Sequence, residues 1–271
     1  MNSLEDILAD LKIKNNDVIL YLGGRIDDSN LYPPKYVEYL REKIKIINPT
    51  TIICHNYWYA KKYYEKQILP QDIKIDIILG YLKYFEKGDL QTIEPKEYTG
   101  HRNWVKILVE KNPNLVYAFY EFSKKTCELK DSKFNDEVFG KDYNLNNLKF
   151  FNMEREYSPK LFDDLGWTNN IASKHGDKSR NATDGFRVIT KLIGAGFSNL
   201  NILGFTAFGS DEDQSYHTTY GYKRYAGQKY FDLKTSEDQR AEADILQSMV
   251  LNQKINNLEN CDKLIQYLNR K

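Results

Sequence analysis

Residues 185–205 read GFRVITKLIGAGFSNLNILGF, and the class of fold turns on how that stretch divides. Phe186, Ile189, Leu192 and Ile193 fall at helical spacing and form one apolar face, which predicts an amphipathic helix. Gly194 and Gly196 end it, because glycine accepts the left-handed backbone that closes a helix. NLNILGF then reads as a short strand buried on both faces. A helix feeding a buried strand is the second half of a βαβ crossover, which calls for a parallel sheet.

Outward from that unit the same alternation recurs. DVILYLGG (Asp17–Gly24) is an apolar run ending in paired glycines, a buried strand followed by a tight turn. Pro33 and Pro34 break the chain, and KYVEYLREKIKII follows with Val37, Leu40, Ile44 and Ile47 at helical spacing. Thr51–Cys54 is a second strand leading to His55 and Asn56, and the run Ile73–Tyr81 is a third strand candidate, again ending at a glycine. The expected fold is α/β: a single modified Rossmann-like domain over 1–271 with a mostly parallel central sheet and a small lid.

The middle of the chain is less regular. Residues on either side of Pro113 read as helical, and 125–178 as a lid or irregular excursion with no consistent period. The segment 206–230 reads as a mobile loop. A last helix is expected over 236–255, with Ser236 as its N-cap and acids in its first turn, and another short helix from Leu258.

Composition narrows the function classes. A net charge of +1 gives no electrostatic case for nucleic acid as a partner. Cys54, Cys127 and Cys261 are odd in number and lack a CxxC, so neither a disulfide framework nor a zinc knuckle is expected. MNSLEDILADLKIKNND is polar and helical in pattern rather than a secretory leader, which makes a cytoplasmic location the expectation.

In an open parallel sheet, ligands bind beyond the carboxyl ends of the strands. The candidate loops there are Gly23–Ser29, His55–Tyr59, Gly80–Tyr84 and Thr206–His217, with the start of the Gly185 helix. Gly23 and Gly24 let backbone approach a phosphate or ribose, or simply turn the chain; they are not a GxGxxG. Asn56 is a hydrogen-bonding candidate or a helix cap, and His55 reads as a capped surface histidine. Thr183, Asp184 and Gly185 stand at a helix N-terminus, which attracts anions or is merely capped. Asp184 would repel a phosphate, so a hydroxyl, carboxylate or base edge suits it better, while Arg180 upstream offers a positive charge. DEDQ in the loop after residue 206 reads as a solvated acidic turn rather than a metal site, and His217 has the intrinsic pKa of a general base.

The order of these parts resembles the sialyltransferases. A strand ending in a Gly turn, a strand ending in Cys-x-Asn, a Thr-x-Gly helix start and an apolar helix leading to LGF are similar to bacterial glycosyltransferase family 42, and more distantly to family 29. The resemblance implies a metal-independent enzyme that takes a CMP-sugar as donor substrate, with no further cofactor. It would pass sialic acid, or a related ulosonic acid such as Kdo, to a glycan acceptor in bacterial surface-glycan synthesis. It places Gly23, Gly24, Asn56, Thr183, Asp184 and Gly185 around the donor nucleotide, and Arg180, Phe208 and Tyr216 at the departing phosphate. The family's catalytic His position is Asp232 here, so His217 and Asp232 both stand as the base. The family's Cys-Asn is Cys-His-Asn in this chain, and Phe208 replaces one of two phosphate-binding tyrosines. Such an enzyme would work at the inner face of the membrane through peripheral association. A different nucleotide sugar, or a nucleotide- or carbohydrate-binding role without catalysis, are the alternatives.

Overall fold

The computed structural model describes residues 3–24, 34–81, 105–120, 143–151, 184–205, 249–250 and 252–259. Helix α1 (Leu4–Asp10) precedes strand β1 (Ile19–Leu22). Then come α2 (Pro34–Ile47), β2 (Thr51–His55), α3 (Tyr57–Glu65) and β3 (Ile77–Tyr81). A helix over 105–111, α4, leads to β4 (Val116–Tyr120) and β5 (Leu148–Phe151). Helix α5 (Asp184–Gly194), β6 (Leu200–Leu203) and β7 (Asn256–Asn257) complete the described elements.

All seven strands are parallel and lie in the order β5-β4-β3-β2-β1-β6-β7. The period-2 alternation of each strand divides its side chains between two cores. Leu20, Leu22, Ile52, Cys54, Ile78 and Tyr117 meet α2, α3 and α4 through Leu40, Ile44, Ala60, Tyr63 and Leu108. Ile19, Tyr21, Ile53, Leu79, Val116 and Ile202 meet α1 and α5 through Ile7, Leu8, Phe186, Ile189 and Leu192 on the other face. The fold is therefore α/β, a parallel sheet covered on both sides, and its strand order reverses between β1 and β6.

The amphipathic readings of α2 and α5 hold: Val37, Leu40 and Ile44, and Phe186, Ile189 and Leu192, are all buried. Ile47 and Ile193 are partly buried against the same cores. Gly196 closes α5 at φ +87°. The third strand is shorter than its apolar run. Its first residues give way because the Asp76 carboxylate accepts from the Ile52 backbone N–H at 2.8 Å, and pairing in the ladder starts at Ile77.

Three expectations fail. Beyond Pro113 the chain forms β4, not a helix. Asn112 stops α4, its side-chain amide donating to the Ile75 carbonyl (2.9 Å) and its oxygen accepting from the Asn114 N–H (3.1 Å). Val116, Tyr117 and Ala118 are then buried on both faces, which suits β-branched and aromatic residues to a central strand. Part of the stretch expected to be irregular is the edge strand β5, in register with β4 from Tyr117↔Leu148 to Tyr120↔Phe151. Leu148, Lys149 and Phe150 are only half-buried, so no strong alternation marks the strand, and the buried Tyr143 hydroxyl fixes its approach by donating to the Leu115 carbonyl at 2.7 Å. The last helix is over by Asn252 rather than running to 255: Gln253 has φ +55° and the Lys254 N–H returns to the Met249 carbonyl. The chain then makes β7, pinned by Asn256 donating to Asn201 Oδ1 at 2.8 Å, and Leu258 and Glu259 leave it without starting a helix. The rest of the expected lid, the loop 206–230 and most of the C-terminal helices lie outside the described residues.

At the reversal, β1 and β6 run side by side with Leu22 opposite Leu203, and Gly23 and Gly204 follow. A Cβ on Gly23 would collide with the Gly204 carbonyl oxygen; one on Gly204 would collide with the Tyr63 hydroxyl. Gly204 also holds φ +81°, where a side chain is strained. The fully buried Tyr63 hydroxyl lies 3.0 Å from both the Gly23 and the Leu203 carbonyl oxygens and shares its proton between them. Removing that hydroxyl in Tyr63→Phe takes a donor from the buried Gly23 carbonyl, while the Leu203 carbonyl keeps the Gly23 N–H at 2.7 Å, and should lower the unfolding free energy by about 1–3 kcal/mol. Gly204→Ala adds steric collision and backbone strain and should lower it further. Urea denaturation of both variants checks the magnitude and the ranking.

Candidate functional site

The carboxyl ends of β1, β2 and β6 and the N-terminus of α5 converge where the strand order reverses, the position at which open α/β sheets bind ligands. Each element arrives there for a local reason. Asn56 turns the chain from β2 into α3 with φ +77°. Its N–H continues the sheet by donating to the Leu79 carbonyl (2.7 Å), and its carbonyl accepts the first α3 bond from the Ala60 N–H (3.3 Å). The capping role is thus borne out, and it fixes Asn56 at the edge with 8% of its surface exposed.

The floor of this edge is aromatic. The Phe205 ring sits against Gly185 and Gly23, so closely that a Cβ on either would lie 2.8 Å and 3.0 Å from its ring atoms. The same ring is 5.0 Å from that of Tyr21. The Tyr21 hydroxyl is 3.1 Å from His55 Nδ1, and the His55 ring stands edge-on to Tyr21 and nearly parallel to Tyr59. Tyr59 lies over Gly24, where a Cβ would come within 2.6 Å of its ring. Phe205, Tyr21, His55 and Tyr59 therefore form one line of contacts, and glycines stand where backbone meets its rings.

Gly23, Gly24, Asn56 and Gly185 are thus brought to one edge, as the sequence led us to expect. Asp184 is the first residue of α5. Arg180, Thr183, Phe208, Tyr216, His217 and Asp232 lie outside the described residues. His55 is not the capped surface histidine expected. The residue is only partly exposed, and burial pushes its pKa down from 6.5 to about 4. The signal was present in the alternation: His55 follows Ile53 by two residues, and Ile53 is paired with Tyr21.

Two other residues escaped the sequence reading. Arg187, in the first turn of α5, would belong to a solvent face by pattern, yet Phe186 through Thr190 are all buried. Glu259 follows β7 as the Leu258 N–H donates to the Ile202 carbonyl at 3.0 Å, and it is 8% exposed. Burial above all holds the Tyr63 phenol well above its ordinary pKa. Cys54 is itself buried and kept protonated, so it offers no nucleophile. Among the described residues no three His, Cys, Asp or Glu side chains cluster as a metal would require, and no helix is long and apolar enough to cross a membrane. What the edge offers is bare glycine backbone, a helix N-terminus and a wall of rings: means to bind a planar, hydroxyl-bearing or anionic molecule.

The neutral imidazole makes stability depend on pH. An unfolded His55 takes up a proton near pH 6.5, whereas the folded one resists until about pH 4, so its contribution is complete above 6.5 and is lost as pH falls between those values. The loss attributable to this group should be about 2–4 kcal/mol. Urea unfolding of the parent protein and of His55→Gln at pH 7, 5.5 and 4.5 measures it, with the steeper fall expected for the parent.

Comparison with known protein families, curated proteins and solved structures finds no match to this chain.

Proposed function

We propose that the chain is a glycosyltransferase of the sialyltransferase type, built on a modified Rossmann-like domain and using a CMP-sugar as donor. The observation that carries the reading is the meeting of Gly23, Gly24, Asn56 and Gly185 at the edge where the strand order reverses. Those residues come from separate segments of the chain, and they are the ones that the resemblance assigns to the donor nucleotide. Bare backbone at Gly23 and Gly24 gives the pyrimidine nucleotide close approach, and the N-terminus of α5 turns the positive end of its dipole to the same edge. Thr183 and Gly185 would take the cytidine and the sugar carboxylate, and Asp184 would accept from hydroxyls rather than meet the phosphate.

The reaction is displacement at the anomeric carbon of the donor. A base removes the proton of the acceptor hydroxyl, its oxygen forms the new glycosidic bond, and the bond to CMP breaks with the electron pair going to the phosphate. His217 or Asp232 would serve as that base. Tyr216 and Arg180 would stabilise the charge on the departing phosphate, with the Phe208 ring beside them in place of a second hydroxyl. No metal takes part in this scheme. The acceptor is a glycan of the bacterial surface, and work at the inner face of the membrane by peripheral association follows from that substrate.

Calorimetric titration with CMP, cytidine, UDP and GDP tests the reading. CMP should bind most tightly, and Gly24→Ala, which forces Tyr59 from its place, should weaken it by about tenfold or more. Preference for UDP or GDP would instead favour a different nucleotide sugar, and turnover unaffected by replacing His217 and Asp232 would refute the assigned bases.

A further inference from the structure

We infer that Tyr59 is a positioning residue for the donor nucleotide: its ring packs on the bare Cα of Gly24 and so sets where the main chain of the Gly23–Gly24 turn stands at the sheet edge. The inference rests on the nucleotide reading above and extends it to α3, a helix from which the resemblance takes no residue.

The geometry at Gly24 accounts for the glycine. Its φ lies outside the left-handed region, so the backbone conformation alone would accept a side chain. What forbids one is Tyr59: a Cβ on Gly24 would lie 2.6, 2.7 and 2.8 Å from its Cζ, Cε2 and hydroxyl oxygen. The far end of the ring therefore occupies the room that a side chain would take. The missing side chain serves a contact within the protein. What this turn offers a nucleotide is then main chain whose position the ring sets.

The fold brings the ring to that place. Asn56 fixes how α3 leaves β2, its N–H donating to the Leu79 carbonyl and its carbonyl accepting from the Ala60 N–H. Tyr59 and Tyr63 are four residues apart in α3 and so share one face of it. The Tyr63 hydroxyl reaches the Gly23 carbonyl, and the Tyr59 ring packs on Gly24. Successive turns of one helix thus hold successive residues of the turn after β1. Tyr59 is buried, and the His55 ring lies nearly parallel to it at 6.4 Å, so the ring cannot swing aside without moving its neighbours. A turn held at both residues loses little freedom when a ligand binds, which is how a residue without ligand contact raises affinity.

A size-swap cycle, read by calorimetric titration with CMP, tests the inference. Tyr59→Leu reaches only as far as the ring's Cδ atoms, so it removes the atoms that meet Gly24 while still filling part of the core. It should weaken CMP binding by about tenfold. Tyr59→Phe keeps Cε2 and Cζ and should bind within about twofold of the parent. Gly24→Ala should cost about tenfold in the parent but less than about twofold in Tyr59→Leu, because the methyl group enters the space that the ring has left. A purely structural role would lower the urea midpoint of Tyr59→Leu without moving its CMP affinity. Parental affinity in Tyr59→Leu, equal losses from Gly24→Ala in the two backgrounds, or Tyr59→Phe as weak as Tyr59→Leu, each overturns the inference and leaves the nucleotide reading intact. In nitrogen-15 spectra of the parent, the Gly24 amide, identified by its loss in Gly24→Ala, should move when CMP is added. An unmoved signal at saturation overturns the inference even where no Tyr59 variant folds. Failure of the parent protein itself to bind CMP overturns that reading and the inference together.

Discussion

Two stretches of backbone touch at the centre of the carboxyl edge, Gly23 after β1 and Gly204 after β6, and the arrangement around them depends on that contact. A sheet whose order reverses must send its chain to opposite faces on the two sides of the reversal. Here α2, which follows β1, lies on one face and α5, which leads into β6, on the other. Side chains at the ends of β1 and β6 would hold the strands apart. Glycine at both places lets the backbones close, and Tyr63 reaches up from α3 to bind the carbonyls of Gly23 and Leu203. Buried carbonyls need such a partner, and one hydroxyl serves both strands.

From this contact the rest of the edge follows by exclusion. With Gly204 in the left-handed region, Phe205 comes down on Gly23 and Gly185 rather than continuing the strand. Phe205 fixes where α5 begins, and Tyr21 beneath it fixes His55. Tyr59, one turn into α3, closes over Gly24. Each glycine answers to a particular ring or carbonyl. The apolar runs that end in glycine revealed where these turns would be. They did not reveal the reason, because Gly24 and Tyr59, or Gly185 and Phe205, are far apart in sequence and meet only through the sheet.

The same distinction separates the legible parts of the fold from the rest. Strands β1, β2 and β6 and helices α2 and α5 carry their periodicity in their own residues, since each buries one face or both against a continuous core. Strand β4 was hidden because VYAFY is equally apolar at helical and strand spacing, and the deciding residue is Asn112, whose side chain ends the preceding helix. Strands β5 and β7 are edge elements with little buried surface of their own. Their places are set by partners elsewhere in the chain, Leu115 for Tyr143 and Asn201 for Asn256. His55 was misread for the opposite reason: its alternation with Ile53 was plain, but a strand end was taken to be open to water.

A floor built in this way also constrains what must complete it. Backbone and rings supply shape and hydrogen bonds, yet the described edge offers no group suited to accept a proton near neutral pH: His55 titrates near 4, while burial keeps Cys54 and Tyr63 protonated. Group transfer at this edge therefore needs a base from another segment. The chain that leaves Phe205 starts on the floor itself and carries Tyr216, His217 and Asp232 within the next 27 residues. The division is the same as in the proposed chemistry, with binding assigned to the rigid sheet edge and proton transfer to the segment that begins beside it.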